Sequence, residues 1–192
     1  SYPIKNGQLQ LLVQSSPVLP SISQLSNSAK IFIPGLIERG NPYLESGNRN
    51  NVQISLNLSH PYFDIYSQAL ADYVSNPICS SFQWDDVDGD RCIVMSPLNG
   101  KYEFVYGGLF YGRLKPFKSE LFTIGFSVGA WNDTYKSDIT GRQSHFRMPI
   151  DWEIGFRKGR FGASWYYNIV TKNINGPFLH KNENNSNLSV FY

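Results

Sequence analysis

From residue 121 to the end of the chain, several segments alternate apolar and polar side chains with almost no interruption. In residues 121–131 the residues between the apolar ones are glycine, serine or threonine. Residues 147–157 and 160–170 repeat the pattern with larger aromatic and aliphatic side chains on one face. Because successive side chains of a β-strand point to opposite sides, this period of two predicts strands whose two faces meet different surroundings.

Tight turns and longer connections alternate along this region. Lys158-Gly159 joins two of the strands, and glycine readily takes the positive φ that such hairpin turns require. Longer connections follow at residues 132–143 and 171–183. Short turns at one end and extended loops at the other are typical of outer-membrane barrels. The sequence therefore predicts an all-β fold, an antiparallel up-and-down β-barrel of about eight strands.

The first half of the chain is less regular. Residues 1–50 are rich in proline, serine and asparagine, and they are predicted to form an irregular N-terminal extension or a plug. Residues 51–192 are predicted to form the barrel domain. Within them, residues 65–74 resemble a short helix, and the polar segment 80–91 is predicted to be a loop.

The composition narrows the class of protein. Aromatic residues make up 15% of the chain, whereas charged residues make up 17%, below the quarter or so that is usual in soluble domains. No apolar run approaches the roughly 18 residues of a membrane helix, so any membrane crossing must use strands. The 17 basic and 15 acidic residues nearly balance, which gives no support for a nucleic-acid partner.

The direction of the apolar face decides between two folds, because alternation also suits a soluble sandwich whose apolar face points to its core. The polar faces here are rich in glycine and serine, which suit a crowded interior better than a solvated surface. Five charged residues of both signs are predicted to form a network in a lumen that side chains fill: Arg147, Asp151, Glu153, Arg157 and Arg160. We therefore expect the apolar face to point outward into lipid.

Residues 121–192 resemble the closing strands of small bacterial outer-membrane barrels, including the lipid A deacylase family and other eight-stranded porin-like proteins. The terminal pattern Leu188, Val190 and Tyr192 is similar to the signal that the barrel-assembly machinery recognises in that group. The resemblance implies an outer-membrane location, with membrane lipid and the assembly machinery as partners. The deacylases carry a catalytic His and Ser on the penultimate strand, but the corresponding run here, from Trp165 to Asn168, has neither.

The two cysteines, Cys79 and Cys92, flank the polar segment 80–91. A disulfide between them would stabilise the fold by roughly 3 kcal/mol and would require an oxidising compartment. We predict that bond, with two free thiols as the alternative.

Aspartates at every second position, Asp86, Asp88 and Asp90, resemble the opening of a calcium loop, since Ca²⁺ prefers hard oxygen ligands on a turning backbone. The run departs from the EF-hand form because Gly89 precedes the third aspartate. The alternative is a solvated acidic turn.

No catalytic constellation emerges from the sequence. The three histidines, His60, His145 and His180, have no cysteine or carboxylate near them at metal-ligand spacing. We therefore predict a non-enzymatic outer-membrane barrel with a structural or partner-binding role through its loops and N-terminal region, the partner being for example another envelope protein. The alternatives are a lipid A-modifying hydrolase of the deacylase type and a secreted soluble β-sandwich that binds a ligand.

Overall fold

A computed structural model describes residues 2–4, 6–87, 89–118, 121–181 and 183–192 of the chain. These residues form an all-β fold of sixteen strands with one short helix, α1, at Ile22–Leu25. The strands are β1 Tyr2–Ile4, β2 Gly7–Val18, β3 Ala29–Ile33, β4 Leu36–Arg39, β5 Gly47–His60, β6 Phe63–Ser75, β7 Ile78–Val87, β8 Asp90–Asn99, β9 Tyr102–Leu114, β10 Phe122–Ser137, β11 Gly141–Arg147, β12 Ile150–Lys158, β13 Phe161–Ile169, β14 Asn173–Asn175, β15 Phe178–His180 and β16 Asn185–Phe191.

The large sheet has the order β1-β2-β5-β6-β9-β10-β12-β13-β16, and β11 extends it by pairing with the far part of β10. All of its pairs are antiparallel, so the chain meanders up and down across the sheet. Its turn end carries the short connections after β5, β9 and β12. Its loop end carries the long connections after β2, β6, β10 and β13. The prediction of an all-β antiparallel fold is confirmed.

The prediction of a closed barrel of about eight strands is not confirmed, because the strand pairing leaves the large sheet open. In the described part of the chain, β16 pairs with β13 alone, along seven residues from Asn185 to Phe191. The free edge of β2 is partly occupied by β1, through the register Tyr2↔Leu9. The sheet therefore ends in two strands that do not meet.

The N-terminal region is built into the large sheet. Strand β2 pairs with β5 along its whole length, from Gly7↔Leu58 to Val18↔Gly47. The domain boundary predicted at residue 50 therefore falls inside β5. Residues 65–74, predicted to be a short helix, lie instead within strand β6.

The apolar face of the large sheet is its exposed face. In β10, Thr123 and Ser127 are buried, whereas Ile124 between them is exposed. On the neighbouring strands, Ile154 is 40% and Trp165 is 41% exposed. Of the described residues of this sheet, Tyr135 is the one buried hydrophobic side chain. Small and polar side chains thus occupy the interior, the reverse of the arrangement in a soluble sandwich.

A second sheet stands at the loop end, with the order β3-β4-β8-β7. Strands β4 and β8 pair in parallel, and Ile37 packs beside Val94 as part of its small core. The predicted loop at 80–91 is the β7–β8 hairpin. The predicted disulfide is wrong, and both thiols are free. Cys92 lies opposite Asp85, six residues along the hairpin from Cys79, which separates the cysteines by roughly 20 Å.

Candidate functional site at the loop end

The predicted lumen charges do not form a single network. The Arg147 Nε donates to Asp133 Oδ2 at 2.8 Å, near the loop end. Asp151 instead accepts hydrogen bonds from the Tyr166 hydroxyl, at 3.0 Å, and from the Asn168 amide.

Three other predicted lumen residues lie nearer the turn end. Glu153 lies opposite Gly125 on the interior face, in the register of β10 with β12. Arg157 and Arg160 are exposed beside the β12–β13 turn. That turn has the predicted form, with Gly159 at φ 61°.

The predicted assembly signal lies on one outward face of the last strand. Leu188, Val190 and Tyr192 are each more than two-thirds exposed, and the Tyr192 ring contacts Phe161 with centroids 4.6 Å apart.

The predicted calcium ligands are only partly described. Asp86 is exposed at the end of β7. Asp88 and the side chain of Asp90 lie outside the described residues. Within the part of the chain that is described, no three His, Cys, Asp or Glu side chains are grouped to hold a metal ion.

Two ion pairs flank the interior face of β9 near the loop end. On one side, Arg49 binds the buried Asp72 with its Nε 2.9 Å from both carboxylate oxygens. On the other side lies the pair between Asp133 and Arg147. Both aspartates lie opposite Val105 in their registers with β9, so β9 is held between two buried carboxylates.

Glu103 lies on the same face of β9, two residues nearer the loop end. Burial raises the pKa of Glu103, and the negative charges of Asp72 and Asp133 raise it further, while Arg49 opposes them. Within the described residues, the Glu103 carboxylate forms neither a hydrogen bond nor an ion pair. The buried Oδ1 of Asp133 is also without a partner there. When Glu103 is ionised, the cluster therefore carries more negative charge than its two arginines neutralise.

A buried thiol and phenol lie beside Glu103. Tyr135, opposite Glu103 in register, is fully buried, and its hydroxyl shares a 2.8 Å hydrogen bond with the Cys79 Sγ. Burial raises the pKa values of both groups. The Tyr135 ring packs against Gly100, where a Cβ would lie 2.8 Å from the ring. Cys79 is therefore a thiol held neutral in a tight site and is a poor nucleophile.

A cavity of about 290 Å³ opens above this pair. Its walls come from β7, β9, β10, the turn between β14 and β15, and the start of β15, and its lining includes Glu103, Cys79, Tyr135, Phe82 and Phe178. The two phenylalanine rings meet edge to face at 5.4 Å. The arrangement thus combines one unpaired carboxyl group with aromatic walls, which is suited to binding a cation.

Sequence reasoning missed this site because its residues come from strands far apart in the chain. One available signal was the pair of acidic residues Glu103 and Asp133, but Asp133 falls in the stretch 132–143 that the sequence predicts to be a connection. Among the described residues, no helix is long and apolar enough to cross a lipid bilayer. The chain matches no protein-family model, and no curated protein matches it significantly.

Proposed function

We propose that the chain is a non-enzymatic integral outer-membrane β-barrel protein whose loop end binds a partner, such as another envelope protein. The observation that carries the proposal is the inverted burial of the large sheet. The side chains of Thr123 and Ser127 are buried, whereas those of Ile124 and Ile154 are exposed. Exposing such an apolar face to water would cost free energy, whereas a strand that spans a membrane requires an apolar face towards the lipid.

Strand length supports the same proposal. Strands β12 and β13 have nine residues each, and a tilted strand needs about 9–11 residues to cross a bilayer. We assign the spanning segments to the ten or so residues nearest the turn end. Glu103, Cys79 and Tyr135 lie beyond them, because Ile150 at the start of β12 pairs with Val128, well before Tyr135 on β10.

We further propose that the open edges of the large sheet join in the membrane. The strand registers connect Gln8 on β2, strand by strand, to Asn185 on β16. Eight strands tilted by about 40° close with a stagger of about ten residues. That stagger brings Asn185, the first residue of β16, level with Val18, the last residue of β2. It also leaves Gly7 and Leu9 free for β1.

The loop end supplies a surface for a partner. In the second sheet, Ile31 is 79%, Phe32 is 65% and Trp84 is 64% exposed. Strand β3 forms an edge of that sheet, and exposed apolar edge strands commonly pair with other chains. The outward Leu188, Val190 and Tyr192 support recognition by the assembly machinery and contact with membrane lipid.

Membrane insertion can be tested with the purified full chain. We expect it to need detergent to stay folded, to change gel mobility on boiling, and to become protected from protease at the spanning segments in phospholipid vesicles. A folded, monodisperse chain in buffer without detergent would overturn the proposal in favour of a secreted soluble module.

Barrel closure can be tested separately with paired cysteines in a chain whose Cys79 and Cys92 are replaced by serine. The proposed register sets Leu188 opposite Ser15, so the pair Leu188→Cys with Ser15→Cys should form a disulfide. The matched control, Leu188→Cys with Leu9→Cys, should not. Cross-linking of the control alone would refute the register, and cross-linking of neither pair would refute closure.

A lipid A-modifying role is the second candidate only through the resemblance of residues 121–192, and no contact in the described residues adds to it. Mass spectrometry of lipid A from cells that make the protein tests it. An unchanged acyl pattern is expected.

A further inference from the structure

The cavity of about 290 Å³ at the loop end has an unusual chemical lining. It is near the lower limit of the roughly 300–1,000 Å³ at which pockets hold drug-sized ligands, so its occupant would be small. The lining includes one carboxyl group, Glu103, and three aromatic rings, those of Phe82, Phe178 and the buried Tyr135. Aromatic faces attract organic cations, and a carboxylate supplies the opposite charge.

The surrounding charges leave Glu103 without a counter-ion. Arg49 is engaged by Asp72, and Arg147 is engaged by Asp133 while its guanidinium lies 5.5 Å from the centre of the Trp131 ring. Both aspartates are negatively charged, so they raise the pKa of Glu103 and do not serve as its counter-ions. A bound cation would neutralise this excess.

We propose that this cavity binds a small organic ammonium ion, with the Glu103 carboxylate as counter-charge and the rings of Phe82 and Phe178 as walls. A divalent metal fits less well, because Ca²⁺ takes six to eight oxygen ligands and Glu103 is the one carboxylate among the described residues of this lining. The site needs only the folded loop end, so it stands independently of membrane insertion.

The pH dependence of binding follows from the groups that face Glu103. They are Asp133 and Tyr135 on β10, Asp72 on β6, Arg49 on β5, Cys79 on β7, and His145 and Arg147 on β11, where His145 lies opposite Asp133. Because the pKa of Glu103 is raised, the carboxylate forms at higher pH than an ordinary glutamate. Affinity for the ammonium ion should therefore rise with pH until Glu103 is fully ionised.

The test uses benzylammonium chloride as the probe and benzyl alcohol as its neutral counterpart, titrated by calorimetry into the folded full chain. We expect benzylammonium to bind at least tenfold more tightly than benzyl alcohol, and Glu103→Gln to remove that preference and its pH dependence. The matched control Glu153→Gln alters an interior carboxyl group far from the cavity and should keep both.

Three results would overturn the proposal: equal binding of the two probes, unchanged preference in Glu103→Gln, or stabilisation by calcium chloride with none by benzylammonium. Near-ultraviolet circular dichroism checks that each variant is folded. If Glu103→Gln does not fold, Phe178→Leu serves instead, and it should weaken benzylammonium binding severalfold; unchanged affinity in that variant would equally refute the site.

Discussion

Replacing Ile154 with arginine tests the orientation of the sheet most directly. Ile154 is the central residue of β12, pairs with Ile124 and Trp165, and is 40% exposed. If that face meets lipid at the bilayer centre, arginine there should destabilise the fold by about 2–4 kcal/mol. That cost lowers the folding equilibrium constant about 30- to 700-fold. On a water-exposed face, the same change should stay within about 0.5 kcal/mol.

The matched control is Ile139→Arg, in the turn between β10 and β11, because Ile139 is 67% exposed but lies at the loop end. Reversible urea unfolding in phospholipid vesicles gives the free energy of unfolding of both variants. We expect a large loss for Ile154→Arg and almost none for Ile139→Arg, with Phe156→Arg between them because it lies nearer the turn end. Equal free energies of unfolding for Ile154→Arg and Ile139→Arg would show that the apolar face does not meet lipid.

Three further predictions concern the loop end. Glu103→Gln should stabilise the chain at pH 7, because a glutamate with a raised folded-state pKa loses stability as pH rises from about 4.3 through that pKa. In unfolding experiments over a series of pH values, the difference in stability between variant and parent should vanish below about pH 4. A difference that stays constant with pH would contradict this. Arg147→Met should cost about 3 kcal/mol by leaving the buried Asp133 carboxylate unpaired, and adding Asp133→Asn should recover most of it. Iodoacetamide should label Cys92 before Cys79, because the Cys79 thiol is hydrogen-bonded and has a raised pKa. A disulfide-linked mass under non-reducing conditions would contradict the finding that both thiols are free.

Local alternation made the β12–β13 hairpin predictable from sequence. Most of the alternate side chains there are large and apolar, and a glycine stands at the turn, so both strands and their connection were predicted. Strand β6 was missed because its outward face includes Ser67 and Ala69, which blur the period of two. The β7–β8 hairpin was missed for a related reason, since its polar residues suggested a loop although they alternate around Phe82 and Trp84.

The candidate site could not have been found from local pattern. Its pairs join residues distant in the chain, such as Cys79 with Tyr135, and no spacing rule connects them. The predicted disulfide failed because sequence separation says nothing of register, and the hairpin sets Cys92 opposite Asp85. The prediction of a lumen charge network missed the partner of Arg147 for a similar reason. That partner is Asp133, which lies on β10 just beyond residue 131, where the sequence predicted a connection instead of a strand.

Strand β10 is much longer than its neighbour β12, with 16 residues against nine. Beyond Val128, where β12 begins, it continues for roughly 30 Å between β9 and β11. The turn that joins β10 to β11, with the exposed Ile139, lies just beyond the last pair of β10 with β9, Lys136 with Tyr102. A short foreign peptide inserted there should leave every strand register intact, and under the proposed outer-membrane location that epitope should be within reach of antibodies and fluorescent tags on intact cells.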